Sequence, residues 1–526
     1  MVIKTGTKKS LFYVHLAVFG YITFFSVYSI LRHYVYLTSG YDLGIFLQSL
    51  WTTAHNQGLL FNTGEWQDLG VYSHFGTHNQ PILLLLVPLY KLFPYAETLL
   101  IIQTSALGLA AYPLFKFAYL VTNDEKKATF VVLLYLMNPA VHGINRFNFH
   151  PVSLAVPFIF LTAYYLEKHE YFRALLSALV ILTVKEDAGL ALISLGLVYI
   201  FGDYTVRDLL NIRNWTKILK TKKMPTVLIS IGILWILISM FVVVPMFNPM
   251  GYPYFSDNKL GEVYYFHINI NGKLVLGYIL VILTSLGFLP LLKPRLFLAT
   301  LPLWLENILS NNDYQMMIGY QYPYMLIPLL FIMIVYGLKD LEAITIKVAY
   351  RDFTNTYSVT LKKILVIPFL TMLLFSPAFH VIDTDYVSGY RITQLLYMWR
   401  VGNSYFGVID EIVEYLQQSQ CPISTHNELF PHLANRLDTY YIVTPFNSTY
   451  IDNKTIILIE STRPSYNKDI TYLKKSEYDN LIIVNASKII LECYSMYPYP
   501  SEAGRECIHE KLLEKITECE RRSEDG

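Results

Sequence analysis

The chain has 526 residues, of which 54% are hydrophobic and 15% charged, and its formal net charge is +1. A soluble domain carries about 25% charged residues, so this chain cannot cover itself with polar surface and most of it belongs in lipid. The near-zero charge gives no pull toward nucleic acid. There is no Walker lysine loop, Gly-x-Gly-x-x-Gly, Cys-x-x-Cys or His-Glu-x-x-His, so nucleotide-driven and zinc-hydrolase chemistry have no support.

Lys4, Lys8 and Lys9 precede an apolar run that starts at Leu11, continues for about twenty residues and has no small-residue cleavage site; it reads as an uncleaved first span. Further runs of span-like hydropathy lie at 96–121, 128–143, 150–167, 171–185, 187–201, 225–247, 273–292, 295–310, 323–338 and 364–380, about eleven spans in all. The run 79–93 is short and holds Pro81 and Pro88. Basic residues favour the cytoplasmic side. If 79–93 stays in the outer interface, Lys126/Lys127, Lys168/Arg173, the 203–224 linker, Lys293/Arg295 and the 339–363 loop all become cytoplasmic, together with the N-terminus. That topology defines a plasma-membrane domain, 1–380, with a long first outer loop at 32–95.

Residues 381–526 are richer in charge. Val408–Leu416 has helical spacing, and Tyr440–Val443, Thr455–Ile459 and Leu481–Val484 read as short strands, so this segment is expected to be an extracytoplasmic α/β domain. Sequons at Asn447, Asn453 and Asn485 fit the outer side, although another at Asn214 falls in the cytoplasmic linker. Cys421, Cys493, Cys507 and Cys519 lack metal spacing and allow a disulfide in an oxidising compartment. Cys507 and Cys519 are not expected to pair with each other, because one helix spanning both would hold them about 18 Å apart.

On this topology five polar motifs share the outer face: Tyr41-Asp42-Leu43-Gly44, His78-Asn79-Gln80-Pro81, Asn148-Phe149-His150-Pro151, Lys185-Glu186-Asp187 and Asn311–Gln315. Asp42 heads an amphipathic stretch; it reads as a general base or a ligand for a metal that bridges a phosphate, and equally as a plain helix cap. His78 and His150, like His74, are suited to phosphate, proton or metal, or to a backbone bond in a turn. Lys185-Glu186-Asp187 interrupts an apolar stretch, where ionisable residues are costly and face a cavity, unless the triplet is an ordinary loop. Lys185 and Arg146 suit an anionic phosphate, and Glu186 and Asp187 suit a metal or sugar hydroxyls. Tyr320–Tyr324 reads as an interfacial aromatic belt or a stacking surface.

The stretches Tyr41–Phe46, His78–Pro94, Phe149–Pro151, Lys185–Asp187 and Ile423–Tyr440 resemble a family of archaeal and bacterial polytopic membrane proteins, domain of unknown function 2079. The long first outer loop with an early acidic residue is also similar to the GT-C glycosyltransferases. That resemblance implies transfer of a sugar from a polyprenyl-phosphate carrier at the outer membrane face, with Asp42 acting on the acceptor and His78, Arg146, His150, Lys185, Glu186 and Asp187 binding substrate. A divalent cation is compatible with it, but no metal ligand set is implied. The family's tenth span tends to begin Gly-Tyr-His-Tyr; here it reads Gly319-Tyr320-Gln321-Tyr322, so no histidine role carries over. The expected partners are a lipid-linked sugar donor and membrane lipids. The competing readings are a lipid or solute transporter or flippase, and a non-catalytic envelope assembly protein.

Overall fold

The computed structural model describes residues 5–255, 271–339, 341, 344–350, 353–359, 361–381, 390–442, 455–459, 482–496 and 501–524. The chain is mainly helical, and each of the eleven apolar runs contains helix. Lys9–Tyr34, Ala96–Thr122 and Lys223–Phe247 are long and apolar enough to cross a membrane, and Glu125–Leu136 with Pro139–Arg146, bent by 46°, makes a fourth if counted as one span. The other runs form shorter apolar helices. Proline explains several breaks: it denies the helix an N–H and disfavours helical backbone in the residue before it. Pro139, Pro151, Pro290, Pro294 and Pro323 each sit in the first turn of a new helical piece. The run at 79–93 contains a helix of 11 residues, Ile82–Leu92. At about 1.5 Å per residue it is too short to cross a bilayer alone.

Two compact units emerge. The first comprises residues 1–29, 78–83 and 100–392, and the second 30–77, 84–99 and 393–526. Most of the 32–95 segment therefore belongs to the same unit as the C-terminal segment.

In the first unit, helix Gly189–Phe201 lies against helix Lys223–Ile238 at backbone distance. A Cβ on Gly189 would strike the carbonyl of Gly232, and one on Gly232 would strike the carbonyl of Gly189. Small residues at such a crossing let apolar helices gain dispersion contact, the main attraction available between helices in lipid. An antiparallel hairpin, Ile344–Tyr350 with Phe353–Val359, occupies the 339–363 loop and was not expected from the sequence.

The second unit holds a parallel four-stranded sheet in the order Thr439–Tyr441, Ile423–Thr425, Ile456–Ile459, Ile482–Asn485. Helices Ile392–Gln418, Ala486–Met496 and Glu502–Glu524 accompany it. Ile412, Leu416, Ile423, Ile456, Leu458, Ile482 and Val484 form its buried core, the apolar composition that a parallel strand covered on both faces requires. The three predicted strands are present where the residues are described; the extra strand Ile423–Thr425 is too short for alternation to announce it. The sheet and helices are tied by two disulfides, Cys421–Cys519 and Cys493–Cys507. Cys507 and Cys519 share helix Glu502–Glu524 and do not pair. Asn447 and Asn453 lie outside the described residues. Asn485 ends a strand, and its side chain accepts the Lys488 N–H at 3.0 Å.

Candidate functional site

Asp42 belongs to the second unit. It sits in the middle of a single π turn, Gly40–Gly44, which leads directly into helix Ile45–Ala54. The expected cap role is not the one observed: the cap positions are Ser39 for the turn and Gly44 for the helix. The extra residue of a π turn re-aims side chains, and such turns are frequent at functional sites. This one is clamped. The Gly40 N–H donates to the Asn427 carbonyl at 2.7 Å, and the Ser39 hydroxyl and the Tyr41 N–H both donate to Asn427 Oδ1 at 3.1 Å. Tyr441 is stacked between Tyr41 and Phe430, with ring centroids 4.4 and 4.0 Å away. A Cβ on Gly40 would meet the Tyr441 ring and one on Gly44 the Phe430 ring, so both glycines are required by the closeness of the aromatic stack. Asp42 itself remains half-buried. Burial pushes the Tyr441 hydroxyl well up, helped by the nearby charges of Tyr41, Asp42 and Asp68.

The same unit contains a buried pair that the sequence reading only half anticipated. His74 Nδ1 lies 2.7 Å from Glu65 Oε1. Asn62 caps helix Thr63–Leu69 by accepting the Glu65 N–H, and its amide donates to Glu65 Oε2 at 2.7 Å. Gln48 stitches the first-loop segment to the C-terminal one, donating to the Arg436 carbonyl at 2.9 Å while accepting the Thr63 N–H at 2.8 Å.

The other six predicted residues fall in the first unit. His78 and Glu186, 108 positions apart, meet at 2.8 Å, and His78 Nε2 lies 2.9 Å from the Tyr254 hydroxyl. Glu186 is buried in the turn between helices Tyr171–Leu182 and Gly189–Phe201 and also accepts from the Tyr252 hydroxyl and the Asn79 N–H. Burial alone raises its carboxyl; the His78 charge and hydrogen bond, with Lys185, outweigh that and hold it at about 2. Lys185 Nζ is 2.6 Å from Asp187 Oδ2, and the Tyr324 hydroxyl donates to Asp187 Oδ1 at 2.7 Å. The triplet occupies the turn between two helices, with Glu186 bonded to one set of partners and Lys185 and Asp187 to another.

Gln103 braces the loop that carries Arg146 and His150. Its amide donates to the Asn145 and Asn148 carbonyls at 2.9 and 2.5 Å, and its Oε1 accepts the His150 N–H at 2.8 Å. Arg146, buried, donates to the Gly319 carbonyl at 3.4 Å. His150 Nδ1 faces the Phe147 carbonyl at 2.9 Å. A carbonyl only accepts, so Nδ1 carries the proton in the neutral ring. No group of three or more His, Cys, Asp or Glu among the described residues is placed to hold a metal ion. One or two carboxylates with substrate phosphate are enough for magnesium; the predicted carboxylates are Asp42 in the second unit and Glu186 and Asp187 in the first.

The family described as "Predicted membrane protein (DUF2079)" matches residues 32–481. The chain belongs to this family. No curated protein and no solved structure matches it. The DUF2079 match contains Asp42, the His78–Glu186 network and the Arg146 loop, while Cys493, Cys507 and Cys519 lie beyond it.

Within the DUF2079 region the sequence reading missed Tyr252, Tyr254 and Glu306. Glu306 interacts electrostatically with Asp187, Lys185 and Glu186. Its signal was present: it is an ionisable residue inside the apolar run 295–310, a costly placement in lipid that marks functional positions. The two tyrosines carried no signal beyond membership of an aromatic-rich segment.

Proposed function

We propose that this chain is a membrane-embedded transferase similar to the GT-C glycosyltransferases, taking a sugar from a polyprenyl-phosphate carrier at the outer face of the plasma membrane. The observation that carries the reading is Asp42, a half-buried carboxylate on a π turn pinned by Asn427. Catalytic carboxylates gain from such pre-set orientation. In the reaction an acceptor hydroxyl oxygen bonds to the anomeric carbon, the bond from that carbon to the phosphate oxygen breaks, and Asp42 takes the hydroxyl proton. The leaving lipid phosphate needs its charge stabilised, and Arg146 and Lys185 of the first unit are the predicted cations of that kind. His78, His150, Glu186 and Asp187 contact the sugar or orient those cations. The reading includes about eleven crossings and an outer second unit. Its two disulfides support an oxidising compartment. The test is transfer of radiolabelled hexose from a short-chain polyprenyl-phosphate hexose to membrane acceptors, by purified protein in vesicles, with Asp42→Asn as the comparison.

A second reading has one observation in its favour. The Lys185 charge is balanced by Asp187, and Glu186 and Glu306 add further carboxyls beside it. Such a group in an apolar unit resembles a proton or cation relay and suits a carrier. Glu186→Gln abolishing pH-driven solute uptake, with Asp42→Asn leaving it intact, would favour the carrier.

A further inference from the structure

A cavity of about 1040 Å³ opens in the first unit, away from every residue assigned above. It is lined by Lys220, Lys222, Lys223, Lys293, Arg295 and Lys339, against only two acids, Glu167 and Asp203. Among the described residues Lys222 is paired with Asp203 and Glu167 accepts the Tyr336 hydroxyl, which leaves five cations without an ion pair to the cavity's own acids; Asp208, outside the cavity, acts on Arg295 through charge alone. The floor is apolar: Leu166, Val198, Phe201 and Leu296 are buried. Helix Lys223–Ile238 starts at this cavity without a side-chain cap, so its first N–H groups and the positive end of its dipole add to the field. Its first turn also lines the wall, and only 22% of the apolar window of the longer helix Lys223–Phe247 is buried, so the rest is available to lipid.

Four stretches that charge alone assigned to the cytoplasmic side, near 168, 203–224, 293–295 and 339, converge here. We infer that the cavity binds the phosphate headgroup of an anionic glycerophospholipid from the inner leaflet, with an acyl chain continuing along the exposed helix. Basic pockets between membrane helices take such headgroups. The apolar floor and the lipid-facing helix favour a lipid over a soluble phosphate compound. The inference stands apart from the transferase reading; only the choice of leaflet rests on the topology.

The test uses the full chain in detergent, with native mass spectrometry and thermal unfolding. Dioleoyl-phosphatidylglycerol should bind and raise the unfolding midpoint, and dioleoyl-phosphatidylcholine should not. Lys220→Gln/Lys223→Gln/Lys293→Gln should weaken phosphatidylglycerol binding at least tenfold. Arg207→Gln/Arg213→Gln/Lys217→Gln, which changes as much charge outside the cavity, should leave it unchanged. Equal effects of the two lipids on the wild type, or equal losses in the two triple variants, would overturn the inference. Saturable binding of glycerol phosphate that displaces the lipid would replace a lipid site by a soluble-phosphate site. The two-lipid comparison needs no variant, so a poorly folding triple substitution leaves the inference testable.

Discussion

His78 Nδ1 lies 2.8 Å from Glu186 Oε1, joining the start of the 79–93 run to the turn between two apolar helices 108 residues later. Glu186 also accepts from Tyr252 and from the Asn79 backbone. Removing it takes an acceptor away from three donors, of which Tyr252 and the Asn79 N–H are buried. Breaking a buried ionic pair from one side costs about 3–5 kcal/mol. Glu186→Ala should therefore unfold at much lower temperature than wild type, and Glu186→Gln, which keeps an acceptor oxygen, should fall between them. Circular dichroism melts in detergent measure this order.

The same carboxyl sets a pH dependence. Its folded pKa is depressed to about 2 from an ordinary 4.5. A depressed acid contributes stability that is fully present above the ordinary value and is lost as pH falls toward the folded value. Between pH 5 and 3 the wild type should lose more of its unfolding midpoint than Glu186→Gln does. Parallel loss in the two proteins would show that Glu186 is not held low.

The membrane class, the helical runs and three strands of the four-stranded sheet were legible because hydropathy and short β-rich stretches are local properties. The partner of His78 was not, because nothing near residue 78 or 186 specifies a contact 108 positions away. The composition of the second unit was hidden for the same reason. Gln48 and Thr63 meet the Arg436 and Thr439 carbonyls, and backbone acceptors leave no side-chain signature in sequence. Asp42 was legible as a polar residue ahead of an amphipathic stretch, but its π turn was not. That geometry depends on glycines at 40 and 44 being pressed by Tyr441 and Phe430.

The disulfide pattern is a sharper test of the second unit. Non-reducing digestion should yield Cys421–Cys519 and Cys493–Cys507 peptides, with no thiol available to maleimide in the native protein. Removing a native bridge costs about 2–5 kcal/mol, more for the longer loop. Cys421→Ser/Cys519→Ser, which opens a separation of 98 residues, should destabilise more than Cys493→Ser/Cys507→Ser, which opens 14. Thermal melts of the double variants decide it.

Sidedness is testable at Leu210, which is 82% exposed in the 203–224 linker. Leu210→Cys should react with a membrane-impermeant maleimide only after cells are opened. Labelling in intact cells would reverse the topology, and with it the leaflet assigned to the basic cavity.

The central claim is that Asp42 carries the proton in a sugar transfer. Asp42→Asn preserves size and leaves the Asn427 clamp, which is made by Ser39, Gly40 and Tyr41, in place. Fold and donor binding should be retained. A positioned general base is responsible for about 10²–10⁴-fold in rate. The decisive measurement is the single-turnover rate of hexose transfer from a polyprenyl-phosphate donor by wild type and Asp42→Asn in the same vesicles. The account predicts transfer by the wild type and a rate at least about a hundredfold lower for the variant; equal rates in the two proteins, or no transfer by the wild type from any polyprenyl-phosphate hexose, would contradict it.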